Sequence, residues 1–373
     1  MDLETRIAAI ATAAEQFPWL GDLSAPGIAR WIGLELGQSL SSTQPLPYGK
    51  QNYLVRPLDP ILHIVSSNTP HAALQSLIRG IVVGSTNWIK LPKEGLVEVN
   101  AFADALPTEL RPELARTLPP AWIDEAEAVV IFGSDETVRE ISLRILPSQR
   151  FIVHGHKISL GLIRSECSPD LANRIADDLF VFDQLGCLSP QVLYVAGDSI
   201  EFAWRLAQHF EQTRPARIAA APQHEIAGTL RAFHEEWKFR AATEPGVCFW
   251  ESPGALAWAV VHDPSPARAP NPLYGTIFIK PIPADLRSAF LRVRRHIATV
   301  GVDPLDSESV EIAVRIGAQR VCAIGQMQNP SVTWHHDGQP TLANFVRYVD
   351  IEGPAEDWIA PRKTQAPEDS TAQ

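Results

Sequence analysis

Residues 57–95 alternate between strand-like and helix-like patterns, in the order PLDPILHIVSSNTPHAALQSLIRGIVVGSTNWIKLPKEG. The short apolar run ILHIV is typical of a strand, SSNTP of a polar turn, and HAALQSLIRGIVVG of a helix that ends at glycine. NWIKLP follows as a second strand. Because a strand, a helix and a strand in this order need a crossover, the stretch predicts two parallel strands with a right-handed connection.

The same alternation returns later in the chain. In residues 126–146, VVIF predicts a strand, GSDE a turn and TVREISLRIL a helix, and RFIVHGHKISLGLI follows as a further strand–turn unit. Residues 172–182 are predicted helical, with a turn at Gly186–Cys187 and the strand QVLYV after it. YGTIFIKPI predicts another strand, and VEIAVRIGAQRVCAIGQM a helix and then a strand. This pattern is typical of α/β folds, which bind ligands at the carboxyl ends of their strands.

Other segments are less informative. Residues 1–45 are predicted helical, with breaks at Pro18 and Pro26. Residues 200–270 combine helices with a loop rich in proline and alanine. The last dozen residues, RKTQAPEDSTAQ, have the composition of a disordered tail.

Composition narrows the class of protein. The chain has 373 residues, of which 45% are apolar and 20% charged, as expected for a globular protein of about two domains. Its net charge of −11 argues against a nucleic-acid-binding surface, which needs clustered Lys and Arg. No window of about 18 apolar residues predicts a membrane span. The first residues lack the pattern of a signal peptide, and the four cysteines form no CxxC pair, so we expect a cytoplasmic protein without structural zinc or disulfides.

Two motifs could carry chemistry. In VFDQLGCLSPQ, Cys187 follows Gly186 and is either a buried core thiol or a nucleophile on a tight turn. In FGSDET, Gly133 and Ser134 begin a helix, where free N–H groups either bind an anion or simply need a cap. The usual dinucleotide fingerprint GxGxxG and the phosphate-loop motif GxxxxGK[ST] do not occur.

Six segments taken in order, SSNTP, NWIKLP, FGSDET, HGHKIS, DQLGCLSPQ and WHHDGQPTLANFVRYVDIE, resemble the aldehyde dehydrogenase superfamily. More narrowly, the chain is similar to the acyl-CoA reductase family typified by the fatty acid reductase of bacterial luminescence, from about residue 57 to 352. The spacings between the segments are close to those of the superfamily.

The resemblance implies two α/β domains with parallel sheets and an active site in the cleft between them. It implies a cofactor-binding domain at 1–155 and a catalytic thiol domain at 156–335. A segment at 336–360 would return to the first domain, and 361–373 would be a disordered tail. Oligomers are common among relatives, so a homo-oligomer is expected by analogy.

The resemblance also implies roles for individual residues. Cys187 stands at the position of the catalytic nucleophile, and Asn68 at that of the amide that stabilises the oxyanion, which needs donors already in place. The positions of cofactor-binding residues are occupied by Ser66, Lys90, Lys93, Gly133, Ser134 and Gly155.

Two departures from the superfamily pattern bear on the reaction. Val153 stands where hydrolytic members have a glutamate that activates water, which favours reduction over aldehyde oxidation. His154 or His156 could act as a base, although packing against a neighbouring strand explains His154 as well. Lys93 stands where many NAD-preferring members have a glutamate, and a lysine would attract the 2′-phosphate of NADPH. NADPH is therefore the expected cofactor, with NAD as the alternative.

A pair of histidines followed by an aspartate, His335-His336-Asp337, could suggest a metal site. No third ligand stands at a suitable spacing, so we expect no metal and interpret the segment as structural or as lining the cleft.

The predicted activity is NADPH-dependent reduction of a fatty acyl-CoA thioester to an aldehyde through an acyl group on Cys187. Three alternatives remain open. The acyl group could come from a carrier, acyltransferase or synthetase protein. The reaction could instead be NAD(P)-dependent aldehyde oxidation. The chain could also be a non-catalytic subunit of a reductase complex.

Overall fold

The computed structural model describes residues 1–37, 46–48, 51–67, 70–213, 224–254, 256–266 and 269–352. Within these ranges the α-helices are α1 Leu3–Ala14, α2 Ala25–Leu36, α3 Pro70–Val83, α4 Val97–Ala105, α5 Pro120–Glu125, α6 Asp135–Ser142, α7 Pro169–Phe180, α8 Ser199–Thr213, α9 His224–Thr243, α10 Leu286–Phe290 and α11 Ser307–Ile316. The strands are β1 Leu46–Tyr48, β2 Gln51–Pro57, β3 Ile61–Ile64, β4 Asn87–Lys90, β5 Glu113–Ala115, β6 Ala128–Phe132, β7 Arg150–His154, β8 Ile158–Ile163, β9 Pro190–Val195, β10 Cys248–Glu251, β11 Ala259–His262, β12 Thr276–Pro281, β13 Ile297–Asp303, β14 Arg320–Ala323 and β15 Val346–Ile351. No helix among them is both long enough and apolar enough to cross a membrane.

A five-stranded parallel sheet has the order β5-β4-β3-β6-β7. The predicted strand–helix–strand unit forms β3, α3 and β4, with Ile61 opposite Asn87 and Ile64 opposite Lys90. Every residue of β3 and β6 is buried, because the sheet is covered on both faces. This explains why these strands appear in the sequence as continuous apolar runs.

A second sheet has seven strands in the order β10-β11-β12-β9-β8-β13-β14. Successive residues of β9 point to opposite faces, so that Leu193 and Val195 join one apolar cluster and Val192 and Tyr194 the other. The expected parallel arrangement holds for its other strand pairs, and the sheet is mixed because β10 pairs antiparallel with β11 at one edge. These two strands lie in residues 200–270, where the sequence pattern indicated only helices and a loop.

The third sheet joins β1, β2 and β15, all antiparallel. The carboxyl-terminal strand β15 pairs with β2 along its whole length, and residues just before it pack against α3. All strands of the five-stranded sheet end by His154 and those of the seven-stranded sheet begin at Ile158. A domain boundary near residue 155 remains our proposal, and the predicted tail 361–373 lies outside the described residues.

Two local predictions are corrected by the structure. Pro26 does not break a helix but lies in the first turn of α2, where its missing N–H costs nothing. The helix predicted at 137–146 is α6, which begins at Asp135 and ends at Ser142. Its earlier start follows from the side chain of Ser134, which caps it by accepting from the Thr137 N–H.

Candidate active site

The loop that carries Cys187 begins with backbone strain. After α7, residues Phe182, Asp183 and Gln184 have φ values of 55°, 53° and 62°, in the left-handed region that non-glycine residues rarely adopt. We expected Gly186 to allow the turn, but Gly186 is not among the residues with positive φ. The strain therefore falls on three residues with side chains, and strain of this kind is concentrated at functional sites.

Gln184 holds this loop in place. Its buried amide donates to the carbonyl oxygens of Pro190 and Thr276, both at 2.8 Å, and accepts from the Thr276 N–H at 3.1 Å. These three bonds tie the loop to the first residues of β9 and β12. Because no water competes for a buried amide, these three bonds stabilise the unfavourable left-handed backbone of the loop.

The main chain at Cys187 is also anchored. Ser159 Oγ, at the start of β8, donates to the Cys187 carbonyl oxygen at 2.7 Å. Two residues further on, Ser189 Oγ accepts from Gln328 Nε2 at 2.8 Å. The nucleophile position is therefore held from two sides by buried side chains.

Cys187 is the exposed cysteine among the four, yet its sulfur is surrounded by protein. Burial, and then the negative charge of Asp337, raises the pKa of Cys187 to about 12. In the free protein at neutral pH the residue is therefore a thiol, and it needs a proton acceptor before it can act as a nucleophile.

The other cysteines behave as structural thiols. Cys167 is buried in an apolar cluster, and burial raises its pKa to about 11. Cys248 and Cys322 are half-buried within β10 and β14. None of the three lies on a strained loop.

His154 and Asp337 form a buried hydrogen-bonded pair near Cys187. His154 is the last residue of β7, and its Nδ1 lies 2.7 Å from Asp337 Oδ2. Burial lowers the pKa of His154, so its imidazole is neutral at neutral pH. Burial opposes ionisation of Asp337, but the hydrogen bond from His154 and nearby positive charges outweigh it and lower the pKa of that carboxyl.

The rings around this pair are stacked. His154 stacks on Phe132 at 4.5 Å between ring centroids and on His336 at 4.2 Å, and Trp334 stacks on His336 at 4.5 Å. The expected packing of His154 against a neighbouring strand is confirmed, since Phe132 ends β6. The pairing with Asp337 was missed, because no sequence rule links residues 183 positions apart.

His154, His336 and Asp337 could in principle hold a metal, because one ligand atom from each lies within 4.8 Å of the others. The sequence did not reveal His154 as the third member. However, the two imidazoles are stacked, so their in-plane lone pairs run side by side and do not converge on one ion. Lys157 Nζ lies 3.7 Å from Asp337 Oδ1 and adds a positive charge. The geometry does not favour a metal, and its absence remains a prediction.

A buried arginine lies on the other side of this cluster. Arg79, on α3, is 2% exposed, and its Nε and Nη2 have no hydrogen-bond partner in the described part of the chain. Burial lowers its pKa to about 10, while Glu35 and Asp337 favour its charged form. Arg79 and Lys157 together supply the positive charge that faces Asp337.

The predicted cofactor residues lie at one edge of the five-stranded sheet. Ser66 follows β3, Lys90 ends β4, Gly133 follows β6 and Gly155 follows β7, so they stand at the carboxyl ends of adjacent parallel strands. This edge is where open α/β sheets bind nucleotides.

The charge and the side-chain size at this edge bear on whether a dinucleotide fits. Lys90 is half-buried and Lys93 exposed, and neither has an ion-pair partner among the described residues. Two unpaired lysines suit an anionic group. A Cβ on Gly155 would lie 3.0 Å from Asp135 Oδ1, so a side chain at this position would crowd that carboxylate. Ser134 serves as the cap of α6, and its cofactor role remains a prediction.

Asn68 was predicted to stabilise the oxyanion, and it lies outside the described residues. The chain resumes at Pro70, the first residue of α3.

A cavity of about 470 Å³ opens beside the Cys187 loop. Its wall includes Phe182 from the strained loop, His71 from α3 and Gln328, whose amide binds Ser189. Acidic groups also line it, namely Glu98, Asp177 and Asp178. No sequence pattern indicated this cavity, since its residues come from five separate segments.

Comparison with solved structures defines the class of fold. The chain aligns over 94% of its length with an NAD-dependent benzaldehyde dehydrogenase from Corynebacterium glutamicum, covering 86% of that chain, with a TM-score of 0.63 and 15% identity. It aligns over the same share with 1-pyrroline-5-carboxylate dehydrogenase from Thermus with bound NAD, covering 81% of that chain, with a TM-score of 0.66 and 15% identity. The protein thus has the aldehyde dehydrogenase fold.

The family is narrower than the fold. The family model described as Acyl-CoA reductase (LuxC) matches residues 22–348, and the chain belongs to this family. Long-chain acyl-protein thioester reductase 2 of Photobacterium leiognathi is 23% identical over 336 residues, which cover 83% of this chain and 67% of that protein. The long-chain acyl-protein thioester reductase of Aliivibrio fischeri is 22% identical, covering 87% and 70%. By family, the chain is an oxidoreductase of acyl thioesters, and family and fold together imply a nicotinamide cofactor.

Proposed function

We propose that this protein reduces a long-chain acyl thioester to the aldehyde, with the acyl group held covalently on Cys187. The observation that carries this proposal is the position of Cys187. It is reachable by solvent, it follows a strained and anchored stretch of backbone, and Phe182 from that stretch lines a cavity. A nucleophile that must receive an acyl chain, whose carbonyl carbon then accepts a hydride, needs such a place.

The chemistry follows from the thiol. The Cys187 sulfur attacks the carbonyl carbon of the donor thioester, the bond to the donor sulfur breaks, and the donor leaves as a thiol after taking up a proton. The reduced nicotinamide cofactor, when bound, supplies a hydride to the carbonyl carbon of the acyl-enzyme. The resulting thiohemiacetal breaks its carbon–sulfur bond, Cys187 leaves with the electron pair, and the aldehyde is released.

Val153 supports reduction over aldehyde oxidation. The residue is a half-buried member of β7 at the position where a glutamate would activate water. Without a carboxylate there, hydrolysis of the acyl-enzyme is slow. The acyl-enzyme then persists long enough to be reduced.

The donor is a protein-bound acyl group, in our proposal, and acyl-CoA is the second candidate. Relatives are described as acyl-protein thioester reductases, whereas the family description favours acyl-CoA. Glu98, Asp177 and Asp178 make the cavity wall acidic, which disfavours the phosphates of CoA. From the sequence we expected acyl-CoA as the first candidate and a protein-bound acyl group as the alternative. An acyl-carrying protein is accordingly the proposed partner.

NADPH is the proposed cofactor, with Lys93 as the supporting residue. Lys93 is exposed and without an ion pair in the described part of the chain, so its charge is available to a 2′-phosphate. The residues that would hold the cofactor are Ser66, Lys90, Lys93, Gly133, Ser134 and Gly155.

The test is aldehyde formation by the purified protein. One long-chain acyl group is offered as its CoA thioester, as a thioester on a carrier protein and as a neutral thioester, each with NADPH or NADH. Cys187→Ala should abolish trapped aldehyde, while Cys248→Ala, a half-buried cysteine elsewhere, should retain it. Equal rates in wild type and Cys187→Ala would refute the proposal. Absence of aldehyde with every donor would favour the non-catalytic subunit.

A further inference from the structure

A short loop after β14 forms one wall of the cavity. Three residues of this cavity loop, residues 325–328, line the cavity, namely Gly325, Gln326 and Gln328. The cavity loop belongs to neither a helix nor a strand, so side chains supply partners for its backbone groups. The residues that hold it therefore shape the cavity.

Asp178 binds the N–H groups of the cavity loop. It lies in the last turn of α7 and is 1% exposed. Its Oδ2 accepts from the Gly325 N–H at 2.5 Å, and its Oδ1 accepts from the Met327 N–H at 2.9 Å. Each oxygen thus has a donor of its own. An ionised carboxylate offers two such acceptors on one side chain, whereas an amide offers only one acceptor oxygen.

Arg320 binds the carbonyl groups of the same loop. From the start of β14, its Nη1 donates to the Met327 carbonyl oxygen at 2.7 Å and its Nη2 to the Gln326 carbonyl oxygen at 2.8 Å. Hydrogen bonds with an ionised partner are stronger than those between neutral groups. A carboxylate on its N–H groups and a guanidinium on its C=O groups therefore set the conformation of the cavity loop.

Gln328 joins the cavity loop to the segment that carries Cys187. Its buried Nε2 donates to the carbonyl oxygen of Asp178 at 2.9 Å and to Ser189 Oγ at 2.8 Å. Ser189 is 1% exposed and stands two residues after Cys187. Because one amide contacts both α7 and this segment, a displacement of the cavity loop is transmitted to the main chain next to the nucleophile.

The charge of Asp178 is costly in this place. Burial raises the pKa of its carboxyl to about 6, although the hydrogen bonds of the cavity loop and the charge of Arg320 favour the ionised form. The other titratable groups nearby are those that line the same cavity and one thiol on β14, namely His71, Glu98, Asp177 and Cys322. A buried carboxylate with a raised pKa at a cavity wall is typical of functional sites.

We propose that Asp178 is a positioning residue of the active site, which fixes the cavity loop and, through Gln328 and Ser189, the main chain that follows Cys187. The inference deepens the proposed function and rests on it for the reaction that Cys187 serves. The position of both segments can nevertheless be measured without an acyl donor.

The experiment is hydrogen–deuterium exchange of the full-length protein, followed by peptide mass spectrometry. Asp178→Asn leaves one acceptor oxygen for two N–H donors. Ser189→Ala removes the link to the Cys187 segment and keeps both carboxylate bonds. Asp170→Asn is the control, because it removes an exposed carboxylate from the same helix, where its partner is Arg174. Circular dichroism reports whether each variant folds.

The two variants should differ in where exchange becomes faster. In Asp178→Asn, the cavity loop should exchange about tenfold faster or more, since at least one buried N–H loses its acceptor, and residues 186–189 should also exchange faster. In Ser189→Ala, residues 186–189 should exchange faster while the cavity loop keeps the wild-type rate. Asp170→Asn should match the wild type in both segments.

The pH dependence gives a second readout. Below about pH 6, wild-type exchange in the cavity loop should become faster after correction for the intrinsic rate, because the protonated carboxyl of Asp178 no longer accepts through both oxygens. Asp178→Asn should lack this change, since its side chain does not titrate.

Kinetics with the neutral thioester connect the positions to the reaction. Ser189→Ala should lower kcat about threefold or more with KM nearly unchanged, because the cavity wall stays intact. Asp178→Asn should lower kcat and also raise KM. These effects are lost if the residues serve stability alone.

Wild-type exchange in the cavity loop of Asp178→Asn, or in residues 186–189 of Ser189→Ala, overturns the inference. Where Asp178→Asn does not fold, Ser189→Ala and the pH dependence of the wild type decide it. Absence of aldehyde from the wild type would refute the proposed function instead, and the exchange rates would still decide whether Asp178 holds the two segments.

Discussion

Ser159 Oγ donates to the carbonyl oxygen of Cys187 at 2.7 Å and accepts from the Thr299 N–H at 3.3 Å, so one hydroxyl joins the nucleophile loop to β8 and β13. Ser159 is fully buried. The position of Cys187 therefore depends on the start of the seven-stranded sheet as well as on its own loop.

Ser159→Ala should lower the free energy of unfolding by about 1–3 kcal/mol, because the Cys187 carbonyl oxygen and the buried Thr299 N–H both lose this hydroxyl as a partner. Urea unfolding measures this loss. Ser142→Ala, which removes an exposed hydroxyl bonded to the Arg139 carbonyl, is the control and should change stability by less than about 0.5 kcal/mol. An equal loss of stability in both variants would show that the bond to Cys187 does not contribute to the free energy of unfolding.

Gln184→Leu should destabilise the protein by about 2–4 kcal/mol, since three buried hydrogen bonds are lost and the left-handed backbone before Cys187 loses its anchor. Chemical denaturation gives the change in stability, and aldehyde formation gives the effect on activity. We expect activity to fall in the folded variant. Full activity would mean that the strained backbone is not required.

His63 should make stability depend on pH. It lies fully buried in β3, with Nδ1 2.7 Å from Ser76 Oγ and Nε2 3.0 Å from Asn87 Oδ1, and burial lowers its pKa from 6.5 to about 4. Its neutral form is favoured in the folded state. That stabilisation is therefore complete above pH 6.5 and is lost as the pH falls towards 4.

The measurement is urea unfolding of wild type and His63→Gln at several pH values. Below about pH 6.5 the wild type should lose up to about 1.4 kcal/mol per pH unit more than the variant. Subtracting the free energy of unfolding of the variant from that of the wild type removes the effect of the other buried histidines. A constant difference at all pH values would contradict the prediction.

Lys93→Glu should reduce kcat/KM for NADPH by about tenfold or more and leave that for NADH nearly unchanged, because a carboxylate repels the 2′-phosphate. Lys93→Ala separates loss of attraction from repulsion and should give a smaller effect. Steady-state kinetics with both cofactors give kcat/KM for each variant. An equal loss with NADH would assign Lys93 a role unrelated to the phosphate.

Glu98→Gln should improve use of acyl-CoA by a few-fold in KM, with little change for a neutral thioester, because one negative charge leaves the cavity wall. The gain should shrink at high salt, which screens such charges. Glu109→Gln, at an exposed position outside the cavity wall, is the control. If the neutral thioester improved equally, charge would not be the cause.

The sequence predicted the parts of the fold that depend on local pattern. β3, α3 and β4 appear where ILHIV, HAALQSLIRGIVVG and NWIKLP indicated them, since buried parallel strands and a buried helix leave continuous apolar runs. The sequence did not predict the features that depend on tertiary contacts. The turn before Cys187 depends on the buried Gln184, and β10 is defined by its pairing with β11.

The candidate site was predicted as single positions and not as an arrangement. Cys187 follows from its motif and from the resemblance. The partnership of His154 with Asp337, the facing charge of Arg79 and the cavity all join segments far apart in the chain. No spacing in the sequence encodes such contacts, because they depend on how the carboxyl-terminal segment folds back.

The stacked rings of Phe132, His154, His336 and Trp334 have a consequence for the order of events during synthesis. Translation delivers Cys187 and its loop 150 residues before Asp337, and the first half of the stack before the second. Domains fold from the amino terminus as the ribosome releases them. A nascent chain can therefore display its thiol loop before Asp337 is available to His154, and this buried pair forms only after the carboxyl-terminal segment has been synthesised.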